Sequence, residues 1–136
     1  MRATKQAARP RLALPRNFMQ IRLELARESG HPSGSATHGY TIIAPLDVEK
    51  KVDVKVWRIY RDSCRVVRFR PNEEDDLGHL VHRPGGTWAF HYDIRGDEED
   101  EVGYHFENER FEIGEYVSIR EDDKMHTYRV TSVENV

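Results

Sequence analysis

The chain has 136 residues, 33% charged, 38% hydrophobic and 10% aromatic, which supplies one modest apolar core and leaves too little chain for a second, since domains usually run to about 100–150 residues. No apolar run reaches the ~18 residues a membrane helix needs, and no continuous hydrophobic stretch follows the basic N-terminus as it would in a secretory leader. Cys64 is the single cysteine, which excludes an internal disulfide and a cysteine-based zinc cage and agrees with a reducing, cytoplasmic setting.

The net charge of −3 conceals two unlike parts. Residues 1–18 carry Arg2, Lys5, Arg9, Arg11 and Arg16 and no acid, so the remainder, with 16 basic and 24 acidic residues, stands at −8. A body of that sign repels nucleic acid, leaving only the arm or a local basic patch to attract it. With Pro10, Pro15 and no hydrophobic period, residues 1–18 are expected to be a disordered basic arm. Three explanations fit it: a solvated tail, an electrostatic arm for an anionic partner, or a stretch ahead of a true start at Met19. Residues 19–136 are expected to form one β domain.

From Met19 the pattern changes. Ile21, Leu23 and Leu25 alternate with Gln20, Arg22 and Glu24, the period of a half-buried strand. The run ESGHPSGSATHG reads as a loop, and Tyr40–Ala44 as a second strand stopped by Pro45. A helix is predicted over about 53–64, capped by Asp53, with Val56, Trp57, Tyr60 and Cys64 on its inner arc and Lys55, Arg58, Arg61 and Arg65 opposite. Val66, Val67 and Phe69 form a strand that ends at Pro71. Leu77–Arg83 and Thr87–Asp93 flank Pro84, Gly85 and Gly86 as a hairpin with Trp88, Phe90 and Tyr92 facing inward. Beyond the acidic loop Asp97–Glu101, Tyr104–Phe106 with Phe111 and Ile113 suggests a short hairpin. The last pair is predicted to set Ile119 against Tyr128, Val117 against Val130 and Glu121 against His126. The fold expected is mainly β: a small antiparallel barrel or rolled sheet of about seven or eight short strands with one short helix.

Seven histidines raise the question of a metal. His79 and His82, three apart on a strand, point to opposite faces. A three-residue Pro84–Gly86 loop instead puts His79 across from His91, near enough for two ligands of a divalent metal such as zinc, with His105, His126 or a carboxylate as a third. A two-residue Gly-Gly turn would set His79 against Tyr92, and the sequence leaves the choice open. No spacing of ligands known from metal sites appears, so the bland expectation is solvated or hydrogen-bonded histidines and no cofactor. Cys64 is the candidate nucleophile, but the helical arc places its sulfur among packed side chains, where a thiol is inert. The acidic runs 73–76, 97–101 and 121–123 lack the spacing and turn glycine of a calcium loop and read as solvated loops. Gly85 and Gly86 lead into a strand and not a helix, so they are turn residues and no phosphate loop. GEYVSI with HTYRVTSV is similar to hairpins in sortase barrels, without that family's cysteine motif. PGGTWAFH is similar to a cupin fragment, without the paired upstream HxH, so neither resemblance implies a function.

Between Lys50 and Arg70 there are eight basic residues against Asp53 and Asp62 alone. That face, with Arg58, Arg61 and Arg65, would dock an acidic or phosphate-bearing partner or pair with the protein's own acidic loops. No catalytic constellation is complete. The reading is therefore a noncatalytic β-barrel binding domain for a macromolecular partner or small ligand. The alternatives are a metal-binding protein or metal-dependent enzyme at His79 and His91, and a basic-face nucleic-acid binder.

Overall fold

The computed structural model describes residues 13–93, 101–104 and 106–136. Among these, eight strands follow one another as β1 (Phe18–Leu25), β2 (Ser35–Pro45), β3 (Arg65–Phe69), β4 (Asp76–His82), β5 (Trp88–Tyr92), β6 (Glu101–Tyr104), β7 (Tyr116–Glu121) and β8 (Lys124–Asn135). Each pairs antiparallel with the next, and β8 returns to pair with β1, closing a barrel. Closure removes the unpaired edges that an open sheet would expose. The inward set is the alternating one: Ile21, Leu23 and Leu25 of β1, Tyr40, Ile42 and Ala44 of β2, Trp88, Phe90 and Tyr92 of β5, Val117 and Ile119 of β7, and Tyr128 and Val130 of β8 are all buried.

Because every connection joins neighbours, the loops β1–β2, β3–β4 and β7–β8 share one end of the barrel and the loops β2–β3, β4–β5 and β6–β7 lie at the other. The second end is closed by the segment between β2 and β3. Asp53 caps α1 (Val54–Ile59) by accepting from the Val56 N–H at 3.1 Å. After α1 a 3-10 turn, Arg61–Ser63, replaces further α-helix. The helix predicted over 53–64 is thus shorter as α-helix, in keeping with the β-branched residues that crowd it. Its inner arc is as read. Trp57 is buried and donates its indole N–H to the Leu80 carbonyl at 2.9 Å, Cys64 is fully buried, and Val56 and Tyr60 pack on the core. Trp57 meets Trp88 edge to face at 5.3 Å, and Phe106 meets Phe111 at 5.2 Å, so aromatic pairs of about 0.5–1.5 kcal/mol each line this end.

Three expectations give way to tertiary context. The loop expected through Gly39 is half strand, because β2 begins at Ser35. Phe111 and Ile113 form no hairpin with β6, which pairs instead with β5 and β7. Phe111 is buried and bonded through its N–H to the Lys50 carbonyl, while Ile113 is 64% exposed. In the last hairpin Ile119 faces His126, Val117 faces Tyr128 and Glu121 faces Lys124. The expected register needed a four-residue loop, whereas Asp122 and Asp123 take φ of 49° and 66° and close a two-residue turn whose twist matches the strands. The two-residue displacement keeps every side chain on its expected face.

Residues 1–12 of the expected arm and residues 94–100 of the acidic loop lie outside the described residues. Ahead of Met19, Phe18 is buried in β1, Leu14 packs on the core, and Asn17 donates to the Leu46 carbonyl at 3.1 Å. No helix among the described residues is long and apolar enough to cross a membrane.

Two substitutions check this packing. Ile119→Ala, at a fully buried site, should lower unfolding free energy by about 2–5 kcal/mol, and Asp53→Ala by about 1 kcal/mol, in urea titrations read by tryptophan fluorescence.

Candidate functional site

The end of the barrel away from α1 is polar. Glu121, 3% exposed, points inward from β7, and its carboxylate accepts hydrogen bonds from Tyr40 of β2 and, at 2.8 Å, from Tyr128 of β8. Arg68 of β3, 5% exposed, places its guanidinium 3.5 Å from the same carboxylate. Four strands thereby converge on one buried carboxylate. His126 approaches it at 3.7 Å through Nε2 and meets Glu28, in the β1–β2 loop, at 3.1 Å through Nδ1. Burial is the main reason the Tyr128 phenol is pushed well above its ordinary range, with the Glu121 charge adding to it. A phenol so held, sealed from solvent, is a fixed donor and no general acid.

His38 borders this cluster, its ring 6.2 Å from Tyr128 and 6.3 Å from His31. Its Nε2 is buried without a hydrogen-bond partner among the described residues. Burial lowers the His38 pKa below 6.5; Glu121 opposes that shift, while Arg68, His126 and His31 reinforce it.

The hairpin loop spans Pro84–Gly86, since the Arg83 N–H donates to the Thr87 carbonyl and His79 faces His91 directly. Gly85 and Gly86, at φ of 94° and 90°, supply the left-handed backbone this loop needs. The register that brings the two imidazoles together is therefore the one formed. His79, however, is held by other partners: Nε2 lies 3.1 Å from the Arg65 guanidinium and Nδ1 lies 3.0 Å from Asp93. Since arginine can only donate, Nε2 accepts from it and Nδ1 donates to Asp93. Both ring nitrogens are engaged, with a fixed cation beside the one that would bind metal. His105 lies outside the described residues, and among those described no group of three or more His, Cys, Asp or Glu side chains is arranged to share an ion.

The basic face divides. Arg58 and Arg61 are exposed at the helix end, Arg61 lying 5.3 Å from the Trp57 ring centre. Arg65 stands on the barrel wall and pairs with Asp93 at 3.3 Å. Cys64 is buried, and desolvation pushes its thiol up to about 12, far from the range of a thiolate nucleophile.

A feature not legible in the sequence is a groove of about 410 Å³ on the outer wall beside β1 and β8. Its origin is a bulge. Glu24 faces Gly39 while the next residue, Leu25, faces Ser35, so residues 36–38 of β2 are left without strand partners on β1. A side chain at Gly39 would collide with the Leu23 carbonyl, which is why glycine stands at the bulge's end. Arg22 pins the bulge by donating to the Ala36 carbonyl at 2.8 Å and pairs with Glu24 at 2.8 Å. Along the groove, Arg129 of β8 sits between its strand partners Glu24 and Tyr116, and Arg27 and Ser33 line it from the β1–β2 loop. Arg27 and Arg129 are exposed and form no ion pair among the described residues. A second groove, of about 560 Å³ between Leu46, Phe111, Ile113 and Val133, carries charges of mixed sign from Asp47, Lys50, Glu112 and Glu134. The alternation of Glu24, Arg129 and Tyr116 is visible in the sequence, but their adjacency depends on pairing between residues a hundred positions apart.

Removing one partner of the buried pair, as in Glu121→Leu, should cost about 3–5 kcal/mol, and the double change Glu121→Leu with Arg68→Met should recover part of it in a double-mutant cycle, the Tyr40 and Tyr128 hydroxyls still lacking their acceptor. A lowered folded-state pKa means that the unfolded chain takes up the His38 proton first as pH falls. The stability tied to neutral His38 is therefore complete above about pH 6.5 and declines below it. His38→Phe should flatten that part of the urea midpoint's pH profile. Compared with protein-family models, curated proteins and solved structures, the chain matches none of them.

Proposed function

We propose that the protein is a noncatalytic β-barrel domain that binds a small anionic ligand in the groove between β1, the β1–β2 loop and β8. The observation that carries this reading is the pair Arg27 and Arg129, two guanidiniums lining one concave surface with no carboxylate bonded to either among the described residues. Elsewhere the cations whose partners are described lie against the protein's own acids: Arg22 with Glu24, Arg65 with Asp93, Arg68 with Glu121, and Arg70 with Glu73 and Asp76. A groove of about 410 Å³ falls within the roughly 300–1,000 Å³ of small-molecule sites.

The noncatalytic part of the reading draws on the same geometry. The Tyr40, Tyr128, Glu121 and Arg68 side chains are sealed inside the barrel, so they present no reactive atom to a substrate. Cys64 is buried with its thiol protonated. Recognition by fixed charge on a rigid wall is the chemistry that remains.

Titration of isotope-labelled protein with sulfate and with malonate tests the reading. Amide shifts should concentrate at Arg27, Ser33–Ala36 and Arg129, weaken as salt is raised, and disappear in Arg129→Gln. Shifts centred instead on Arg58 and Arg61, or none at millimolar anion, would discard it.

A further inference from the structure

We infer that the groove takes a phosphate monoester carried on a flat ring, the class of the nucleoside monophosphates, with the phosphate between Arg27 and Arg129 and the ring on Tyr116; the inference rests on the anion-binding reading above.

Charge favours a doubly charged group such as a phosphate monoester over a single carboxylate. The two guanidiniums, neither in an ion pair among the described residues, bring two positive charges to the groove, which match the roughly −1.5 to −2 of a phosphate monoester near neutral pH; one carboxylate would leave one of them uncompensated. Each planar fork presents parallel N–H donors suited to two oxygens of a tetrahedral anion. Ser33 also lines the groove and carries a hydroxyl. The groove's own carboxylate, Glu24, is held at 2.8 Å by Arg22 and so is already neutralised in place.

The ring follows from Tyr116. It is the cross-strand neighbour of Arg129, so a group bound at the guanidinium lies within a side chain's reach of the phenol ring. Tyr116 is 58% exposed and lines the groove. Aromatic faces stack on any nucleobase without reading its edges, so the site is expected to tell ring from no ring more strongly than one base from another.

The experiment compares adenosine monophosphate, inorganic phosphate and sulfate by calorimetry and amide shifts on the full chain. Adenosine monophosphate should bind more tightly than inorganic phosphate, and Arg27→Gln and Arg129→Gln should each weaken it at least tenfold. Tyr116→Ala should bring it down to the level of inorganic phosphate while leaving inorganic phosphate itself unchanged. All three side chains are exposed, and a coincident urea midpoint will confirm that each variant is folded. Sulfate shifting the groove amides while adenosine monophosphate gains nothing over phosphate would overturn the inference and leave the anion site standing. No binding by any of the three would overturn both. A single-stranded decanucleotide binding where the mononucleotide does not would assign the groove to nucleic acid and also overturn the inference.

Discussion

The rest of the structure depends on one buried carboxylate. Glu121 draws Tyr40, Tyr128 and Arg68 to a point inside the barrel, and those residues come from strands β2, β8 and β3. An isolated charge there would be far too costly to bury. The hydroxyl donors and guanidinium offset that cost only when all four strands are in register, so the cluster ties closure of the sheet to one arrangement. A purely apolar interior would fill the same space with less demand on register. On this view, the polar end contributes uniqueness more than net stability, and its inward groups are structural.

The opposite end is held by a different force. Trp57, Trp88, Phe18, Phe106 and Phe111 pack as an apolar plug, with α1 serving chiefly to deliver Trp57 to the Leu80 carbonyl. A six-residue helix has little stability of its own. It persists because Asp53 caps it and the tryptophan anchors it. The barrel is therefore sealed by hydrophobic contact at one end and by a hydrogen-bonded ion pair at the other, which leaves its outer wall as the surface available for recognition.

The groove on that wall is a by-product of closure. Once β1 must pair with both β2 and β8, the bulges between Glu24 and Leu25 on one side and between Arg22 and Leu23 on the other absorb the mismatch of the two ladders. Residues 36–38 are then left unpaired on the β1 ladder, and Arg22 holds the bulge and Glu24. Arg129 and Arg27 form no ion pair among the described residues, the Glu24 carboxylate opposite Arg129 being held by Arg22. Geometry that serves the fold thus produces a concave surface lined by two guanidiniums.

Alternation after Met19 was sufficient to specify a mainly β domain, the inward faces of its strands, the Asp53 cap and the burial of Trp57, Trp88 and Phe90, because these follow from side-chain period and local capping chemistry. The proximity of His79 and His91 was present as one of two registers, and the three-residue loop closed by the Arg83 N–H on the Thr87 carbonyl is the one formed. What the His79 ring does there was not legible, since Arg65 and Asp93 reach it across strands. The Tyr40, Tyr128, Glu121 and Arg68 cluster and the groove of Arg27, Tyr116 and Arg129 were likewise hidden. Their members are separated by up to about a hundred residues, and only closure of β8 onto β1 brings them together. Local sequence sets which way a side chain points; long-range pairing decides what it meets.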